Sequence, residues 1–334
     1  MFWIIPVHYS FIMCRSYINN LHPIAHRALY PTIAKIFEHF VPMFNKVLTD
    51  LLNVRPDRIK VDPYNWYTDE PEDHDEREAW WENRQPTPPP IPTYNPPPLP
   101  TNIVDLKGRD LQVIVKLANI VLTPEKPEYS GGVWHVEGME NENIVASGIF
   151  YYDVSDDNIT ESQLRFRQAV CEPDYEQSDD NGVRAIFGLE NEGALNQYLG
   201  AVVTQGGRCI AFPNTLQHQV APFRLVDPTK PGHRKILVFF LIDPLNRIVS
   251  TANVPPQQRE WYADFLANHV LKAEGATGAV LPPELISHVV DYVDWPMSLE
   301  EAKQHREALM KERKFFIGNN NKVLFERPFS LCEH

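Results

Sequence analysis

A histidine and a carboxylate two positions apart, His135 and Glu137, stand in the segment GGVWHVEG at 131–138. In a β-strand, residues two apart point to the same face of the sheet. A second histidine, His218, comes much later, within LQHQV at 216–220. Two imidazoles and one carboxylate can hold Fe(II) on one side and leave its other positions open to a cosubstrate and O2. We therefore predict that His135, Glu137 and His218 are metal ligands and form the catalytic centre.

The residues that flank this set have the composition of buried strands. Apolar segments lie at 143–152 and 207–214, and the strongest strand pattern of the chain lies at 233–244. Arg234 stands at the mouth of that last strand. A guanidinium there suits a planar, two-pronged grip on a carboxylate. The pattern predicts that Arg234 binds the carboxylate of a cosubstrate.

The order of His-x-carboxylate, distal histidine and strand-opening arginine resembles the 2-oxoglutarate- and Fe(II)-dependent oxygenases. More narrowly, the segments SYINNLHP at 16–23, WHVEG at 134–138 and AFPN at 211–214 resemble the fungal family called domain of unknown function 4246, or DUF4246. The resemblance runs from about residue 16 to about residue 261. It implies an α+β fold: a double-stranded β-helix (jelly-roll, cupin-like) core with flanking helices. It also implies Fe(II), 2-oxoglutarate as cosubstrate, and O2.

The chain departs from these relatives in three respects. The acidic ligand is Glu137, whereas the wider superfamily usually has aspartate, which is one methylene shorter. The interval between His218 and Arg234 is long, and its residues 227–232 have the composition of an inserted loop. In the resembled family a longer segment precedes Ser16, so we expect this chain to be shortened at its N-terminus.

The composition of the chain bears on its partners and on its cellular compartment. A net charge of -13 over 334 residues argues against nucleic acid or an anionic membrane as the main partner. The four cysteines, at 14, 171, 209 and 332, form no C-x-x-C pair. Scattered cysteines suit a reduced compartment, and we expect a cytoplasmic protein. The sequence leaves the oligomeric state open.

Four segments are expected along the chain. Residues 1–61 form a helical support in which Pro42 should end or kink the first helix near Phe40. Residues 62–100 form an acidic, aromatic and proline-rich arm. This arm either wraps over the domain or contacts a proline-binding protein partner. Residues 101–250 form the β-helix core with the metal site, and 251–334 form a C-terminal helical segment.

The expected function is hydroxylation, or a related C–H oxidation, of an unknown small-molecule substrate. Hydroxylation, desaturation and ring closure all remain open. Three alternatives also remain. One is a protein or peptide hydroxylase that docks its substrate through the acidic surface and the arm. Another is a non-catalytic interaction protein that keeps the site residues in a shortened barrel. The third is a cupin-like dioxygenase or isomerase without a cosubstrate, against which Arg234 alone argues.

Overall fold

The structure, a computed structural model, describes residues 2–8, 11–53, 61–91, 93, 95–96, 98–270 and 281–331. Parts of the predicted segments lie outside these residues. They include 54–60 in the N-terminal segment, 92, 94 and 97 in the arm, and 271–280 and 332–334 in the C-terminal segment, with Cys332 among them.

Antiparallel strands form the middle of the chain. Two of its sheets hold the candidate site: a six-stranded sheet in the order β2-β1-β3-β11-β5-β8 and a three-stranded sheet in the order β7-β6-β9. A short pair, β10-β4, continues beside them. The strands are β1 (Phe2–His8), β2 (Phe11–Ile12), β3 (Asp110–Leu122), β4 (Glu128–Tyr129), β5 (Ile144–Val154), β6 (Gln163–Ala169), β7 (Asn196–Val203), β8 (Cys209–Pro213), β9 (Gln217–Val220), β10 (Phe223–Arg224) and β11 (Gly232–Ile242).

Helices precede, interrupt and follow the strands. They are α1 (Leu29–Leu52), α2 (His74–Asn83), α3 (Asp180–Phe187), α4 (Arg259–Phe265), α5 (Pro283–Asp291) and α6 (Leu299–Asn320), with π-helical turns at Leu266–Val270 and Asn321–Phe325. The chain therefore has a mixed helix and sheet fold. Among the described helices, none combines the length and the apolar character needed to cross a bilayer.

Of the two expectations for Pro42, an end of the helix near Phe40 is wrong, because α1 runs on through Pro42 to Leu52. Proline removes one backbone hydrogen bond from a helix interior. Here Phe40 and Phe44, one on each side of the proline, are both fully buried. We infer that packing of these rings outweighs the lost bond and keeps the helix continuous.

Strand β11 separates two layers of apolar packing. Leu237, Phe239 and Leu241 pack with the phenylalanines of α1, on the outer face of the six-stranded sheet. Val238 and Phe240, at the alternate positions, pack with residues of β6 and β8 on the inner face. The layers are therefore a helix, the large sheet and the small sheet, with an interior between the two sheets.

Gly148 of β5 marks where α1 lies closest to the sheet. A Cβ built at this position would lie 2.5 Å from Cδ1 of Phe40. We expect Gly148→Ala to reduce the free energy of unfolding by about 1–3 kcal/mol, because the aromatic layer must move. Gly318→Ala in α6, whose Cβ meets nothing within 4 Å, should instead stabilise the protein by about 0.5–1 kcal/mol. Urea unfolding of both variants measures this, and equal effects would contradict the packing described here.

The arm contacts the domain through aromatic side chains. Trp66 is 2% exposed, and its Nε1 donates a hydrogen bond to Asp179 at 2.9 Å. The guanidinium of Arg84 lies between the rings of Tyr67 and Trp81, 3.8 and 3.6 Å from their centroids. These contacts hold the described part of the arm against the N-terminus of α3, which Asp179 caps.

Candidate metal centre

His135 and His218 are neighbours across two paired segments. The backbone N–H of each donates to the carbonyl of the other, at 3.2 and 3.0 Å, and the ring centroids are 4.3 Å apart. The same pairing continues from Gly132 to Val220. The segment before Glu137 is therefore held against β9, which in turn pairs with β6.

The carboxylate of Glu137 lies between the two imidazoles. Its Oε1 is 3.2 Å from Nε2 of His218 and 3.8 Å from Nε2 of His135. One ligand atom from each of the three residues can be chosen so that all lie within 4.8 Å of one another. Around an octahedral ion with bonds near 2.1 Å, adjacent donors are about 3 Å apart. Small side-chain adjustments would therefore bring this set onto one ion.

The two histidines are oriented by different means. Nδ1 of His135 lies 2.8 Å from the carbonyl oxygen of Val133, to which it can donate, leaving the lone pair of Nε2 for the centre. His218 packs against the rings of Phe166 and Phe212, with centroids 6.5 and 5.0 Å away. Its buried Nδ1 has no hydrogen-bond partner among the described residues. Packing, rather than a hydrogen bond at Nδ1, thus fixes the second imidazole.

Glu137 and the two histidines change one another's pKa values. Burial alone would raise the pKa of the Glu137 carboxyl, but the hydrogen bonds and charges of the two histidines outweigh it and hold that pKa well below its usual range. For His218, burial lowers the pKa of the imidazole, and this effect outweighs the opposite effect of the Glu137 carboxylate, so the net shift is downward. For His135, burial is outweighed by Glu137, and the pKa is raised. The carboxyl of Glu137 therefore loses its proton more readily than usual, whereas the pKa values of the two imidazoles shift in opposite directions, upward for His135 and downward for His218.

This arrangement predicts that metal binding displaces a proton from His135. Below the raised pKa of His135 the imidazole is protonated and competes with the metal, whereas above it the ligand is free. Metal affinity should therefore fall as the pH is lowered, by up to about tenfold per pH unit. Mn(II) calorimetry in buffers of different ionisation enthalpy counts the released proton. Affinity independent of pH from 6 to 8 would contradict the assignment of His135 as a ligand.

Asn214 holds the backbone around Glu137, a role that the sequence did not predict. Its Oδ1 accepts from the N–H of Glu137 at 2.8 Å, and its Nδ2 donates to the carbonyls of Glu137 and Ile144 at 2.9 and 3.0 Å. Gly138, with φ of +70°, then turns the chain away from the site. The signal available in the sequence was the Pro-Asn turn two residues after Phe212 in AFPN.

We expect Asn214→Ala to weaken metal binding by about 10- to 100-fold although it removes no ligand. The reason is that the backbone of Glu137 loses its partners. Asn158 provides a matched control, because it also makes three hydrogen bonds to backbone groups, at 2.9–3.1 Å, in the loop before β11. Asn158→Ala should lose similar stability while Mn(II) affinity stays unchanged. Equal Mn(II) affinities in the two variants would refute the positioning role.

A second hydrogen-bond network connects residues next to His135 and His218 in the sequence, whose side chains point away from the imidazoles. Arg167 donates from Nε to Gln217 at 2.6 Å and forms an ion pair with Glu326 at 3.0 Å. Gln217, which precedes His218, also donates to Asn321. Asn321 in turn donates to the carbonyl of Trp134, which precedes His135, at 3.2 Å. The C-terminal residues therefore link the immediate neighbours of both histidines.

Arg234 lies on the inner face of the large sheet and is 2% exposed. Its guanidinium donates to the hydroxyl of Tyr151 at 3.2 Å and to that of Thr204 at 3.4 Å, and it lies 4.8 Å from the centroid of the Tyr151 ring. In the part of the chain that the structure describes, no carboxylate lies within ion-pair distance of it. A buried cation with only neutral partners is costly unless an anion joins it.

A second cation on the same face of the large sheet is Lys116 of β3, whose side chain is exposed. It pairs across the sheet with Val238, whose side chain belongs to the interior between the sheets. Residues directly opposite in antiparallel strands share a face, so Lys116 points to the same side as the candidate ligands. Its positive charge opposes protonation of both histidines, although for His135 this small effect is outweighed and the net pKa is raised.

The structure thus places three of the four predicted residues together. His135, Glu137 and His218 form one cluster, and Arg234 lies on the facing sheet, in the same interior. Tyr151, Thr204, Asn214 and Lys116 were not among the predicted site residues. Tyr151 and Thr204 accept hydrogen bonds from Arg234, Asn214 bonds the backbone of Glu137, and Lys116 acts on the two histidines through its charge. These neighbours come from distant parts of the chain, so no local pattern specifies them.

Comparisons with solved structures give weak likenesses. IDO from Bacillus thuringiensis matches at 14% identity over 42% of this chain and 49% of its own length, with a TM-score of 0.24. The Fe(II)/(alpha)ketoglutarate-dependent dioxygenase TqaL matches at 15% identity over 46% and 47%, with a TM-score of 0.25. The hydroquinone 1,2-dioxygenase PnpCD matches at 14% identity over 43% and 64%, with a TM-score of 0.19. The match spans about half the length of the first two proteins, and TM-scores this low say nothing about the activity of this chain.

No curated protein matches the sequence. The family described as "Protein of unknown function (DUF4246)" matches residues 4–265, which is most of the chain and includes all four predicted site residues. This protein belongs to the DUF4246 family.

Proposed function

We propose that the protein is an Fe(II)- and 2-oxoglutarate-dependent oxygenase whose core is a double-stranded β-helix. The strand order supports this core. The large sheet takes β3, β11, β5 and β8, and the facing sheet takes β7, β6 and β9 followed by the His135 segment. Consecutive segments therefore cross between the sheets, apart from the adjacent pair β6 and β7, as in a jelly-roll.

The donor set fits Fe(II). Two neutral imidazole nitrogens and one carboxylate oxygen on one side of an ion, with open positions opposite, are the ligands of non-haem Fe(II) oxygenases. Glu137 is ionised and His135 is oriented by the Val133 carbonyl, so both present lone pairs to the centre. In this proposal His135, Glu137 and His218 hold the metal, and Asn214 fixes the backbone of the acidic ligand.

The observation that carries the cosubstrate assignment is the buried Arg234. Its partners are a tyrosine hydroxyl, a threonine hydroxyl and an aromatic ring, and all of them are uncharged. A dicarboxylate that reaches from the metal into the barrel interior would supply the missing negative charge, and Tyr151 would donate to the same carboxylate. Arg234 is therefore proposed to hold the far carboxylate of 2-oxoglutarate.

With Fe(II), 2-oxoglutarate and O2 bound, such a centre couples oxidation of the keto acid to succinate and CO2 with oxidation of a substrate C–H bond. The protein contributes geometry and exclusion of water. The rings of Phe166 and Phe212 exclude water from His218, and Tyr151 shields Arg234 from solvent.

We propose that the four expected segments are parts of one enzyme. Residues 101–250 are the proposed barrel, and 1–61 supply α1 on its outer face. The arm, 62–100, and the segment 251–334 are proposed to be covers, because both contact the core through Asp179 and Arg167. The substrate is proposed to be a small molecule rather than nucleic acid or membrane.

The competing function is a metal-dependent dioxygenase or isomerase that uses the same three ligands without a cosubstrate. Anaerobic titration of the purified protein with Fe(II) and 2-oxoglutarate distinguishes the two. Chelation of the metal by the keto acid should give a weak visible charge-transfer band that His135→Ala abolishes. Fe(II) binding without that band would favour the competing function, and absence of Fe(II) binding would make the chain a non-catalytic protein.

A further inference from the structure

A cleft of about 790 Å³ opens beside the candidate metal ligands. Glu137 lines it together with the residues that follow it, and so do Asn214 and the segment just before His218. Its opposite wall is the end of α6 and the turn after it. The apolar part of the lining includes Val136, Ile144, Leu216, Phe316, Leu324 and Phe325. A volume of this size suits a small organic molecule.

The lining carries no free positive charge. None of the described residues that line the cleft is a lysine or an arginine. Of its carboxylates, Glu137 belongs to the metal centre and Glu140 is exposed. Asp243 already accepts from the N–H of Leu245 at 2.9 Å and from Asn246 at 2.6 Å. The cleft therefore offers neither a cation for an anionic ligand nor a buried, unpaired anion for a cationic one.

The positive charges lie elsewhere. Arg234 and Lys116 both lie on the face of the large sheet that is turned towards the small sheet, and neither lines the cleft. The positive charges therefore lie outside the cleft: the interior between the sheets suits a dicarboxylate, and the cleft suits an uncharged molecule. A ligand in the cleft would lie next to Glu137, the one candidate metal ligand in its lining.

We propose that this cleft binds the primary substrate and that the substrate is a neutral, largely apolar small molecule. The inference rests on the proposed function for the oxidation, although binding in the cleft can be measured without it. Leu324 and Phe316 then contribute to substrate selection, because they form the apolar wall opposite Glu137.

The wall is held in place by the rest of the chain. Arg313 of α6 forms an ion pair with Glu142 at 2.7 Å, and Phe325 is 4% exposed. The adjacent Val323 is 55% exposed and does not line the cleft, whereas Leu324, exposed to 54%, does. Val323 and Leu324 are therefore matched in exposure, but only Leu324 lines the cleft.

Three isosteric probes test the proposal: 2-naphthalenemethanol, 2-naphthoate and 2-naphthylmethylammonium. Each is titrated by fluorescence into the protein with Mn(II) and 2-oxoglutarate, and Mn(II) broadening of the probe protons reports distance from the metal. We expect the alcohol to bind tightest and to be broadened. Leu324→Lys should weaken the alcohol by about tenfold and favour the naphthoate, because it places an ammonium in an apolar wall. Val323→Lys should change neither.

Tighter binding of either charged probe by the unaltered protein, or equal behaviour of the two lysine variants, would overturn the proposal. Bound Mn(II) with an unbroadened alcohol would also overturn it, while leaving the proposed function intact. If Mn(II) does not bind but the alcohol still does, the proposed function fails. The substrate role then fails with it.

Discussion

Replacement of Glu137 by alanine is expected to weaken Fe(II) or Mn(II) binding by at least about 100-fold, which corresponds to about 2.7 kcal/mol. Its carboxylate lies between both imidazoles and is the negatively charged member of the cluster. Mn(II) at 100 times its Kd should raise the free energy of unfolding of the unaltered protein by about 2.7 kcal/mol. At the same concentration, the gain in the variant should be below about 0.5 kcal/mol. Anaerobic thermal unfolding with and without the metal measures both.

His233 supplies a control for the cluster. It too lies near a carboxylate, with Nε2 2.8 Å from Asp153, and its Nδ1 lies 3.2 Å from the hydroxyl of Ser155. Its backbone stands next to Arg234, yet its side chain contacts this separate polar group. His233→Ala should therefore leave metal affinity unchanged, while His218→Ala should behave like Glu137→Ala. Equal metal affinities in His233→Ala and His218→Ala proteins would remove the basis of the proposed function.

Arg234→Met is expected to have two opposite effects. The Kd for 2-oxoglutarate should rise by about 100-fold, because a charge-assisted, two-pronged carboxylate contact is lost. The protein without ligands should gain about 1–3 kcal/mol of stability, because a buried cation without an anionic partner is replaced by an apolar side chain of similar length. Calorimetric titration with 2-oxoglutarate and urea unfolding measure the two effects separately.

Arg224→Met is the matched comparison, since Arg224 is exposed on β10 and loses the same charge. Neither its affinity for 2-oxoglutarate nor its stability should change by much. Tyr151→Phe, which removes the hydroxyl that bonds Arg234, should raise the Kd only a few-fold. An unchanged Kd in Arg234→Met protein would exclude Arg234 as the anchor, and the cosubstrate-free function would become the better proposal.

The sequence predicted the members of the candidate site because their chemistry is local. His135 and Glu137 are two residues apart, which places them on one side of any extended segment. Strand β11 was likewise evident from its apolar run. The family resemblance, confirmed over residues 4–265, then connected these patterns with His218.

Other features depend on distant pairing, and local patterns do not encode them. Asn214 holds Glu137 from 77 positions away, and Asn321 reaches Trp134 from 187 positions away. The continuation of α1 through Pro42 depends on burial of Phe40 and Phe44 against β11 and β5, which outweighs the helix-breaking tendency of proline. The cleft likewise exists only where α6 ends beside the loops that carry the ligands.

The hydrogen bonds of Asn321 to Gln217 and Trp134 have a consequence for the biosynthesis of the protein. A chain leaves the ribosome from its N-terminus, and domains begin to fold during synthesis. The strands of the two sheets can pair before Asn321 has emerged, but the neighbours of both histidines lack their hydrogen bonds to Asn321 until it does. If the two histidines bind a metal, as proposed, they should acquire it late in biosynthesis. Chains stalled before Asn321 would contain all the strands of the two sheets but would lack the hydrogen bonds that link Trp134 and Gln217, and a metal bound by the proposed ligands should then be lost or exchanged more easily.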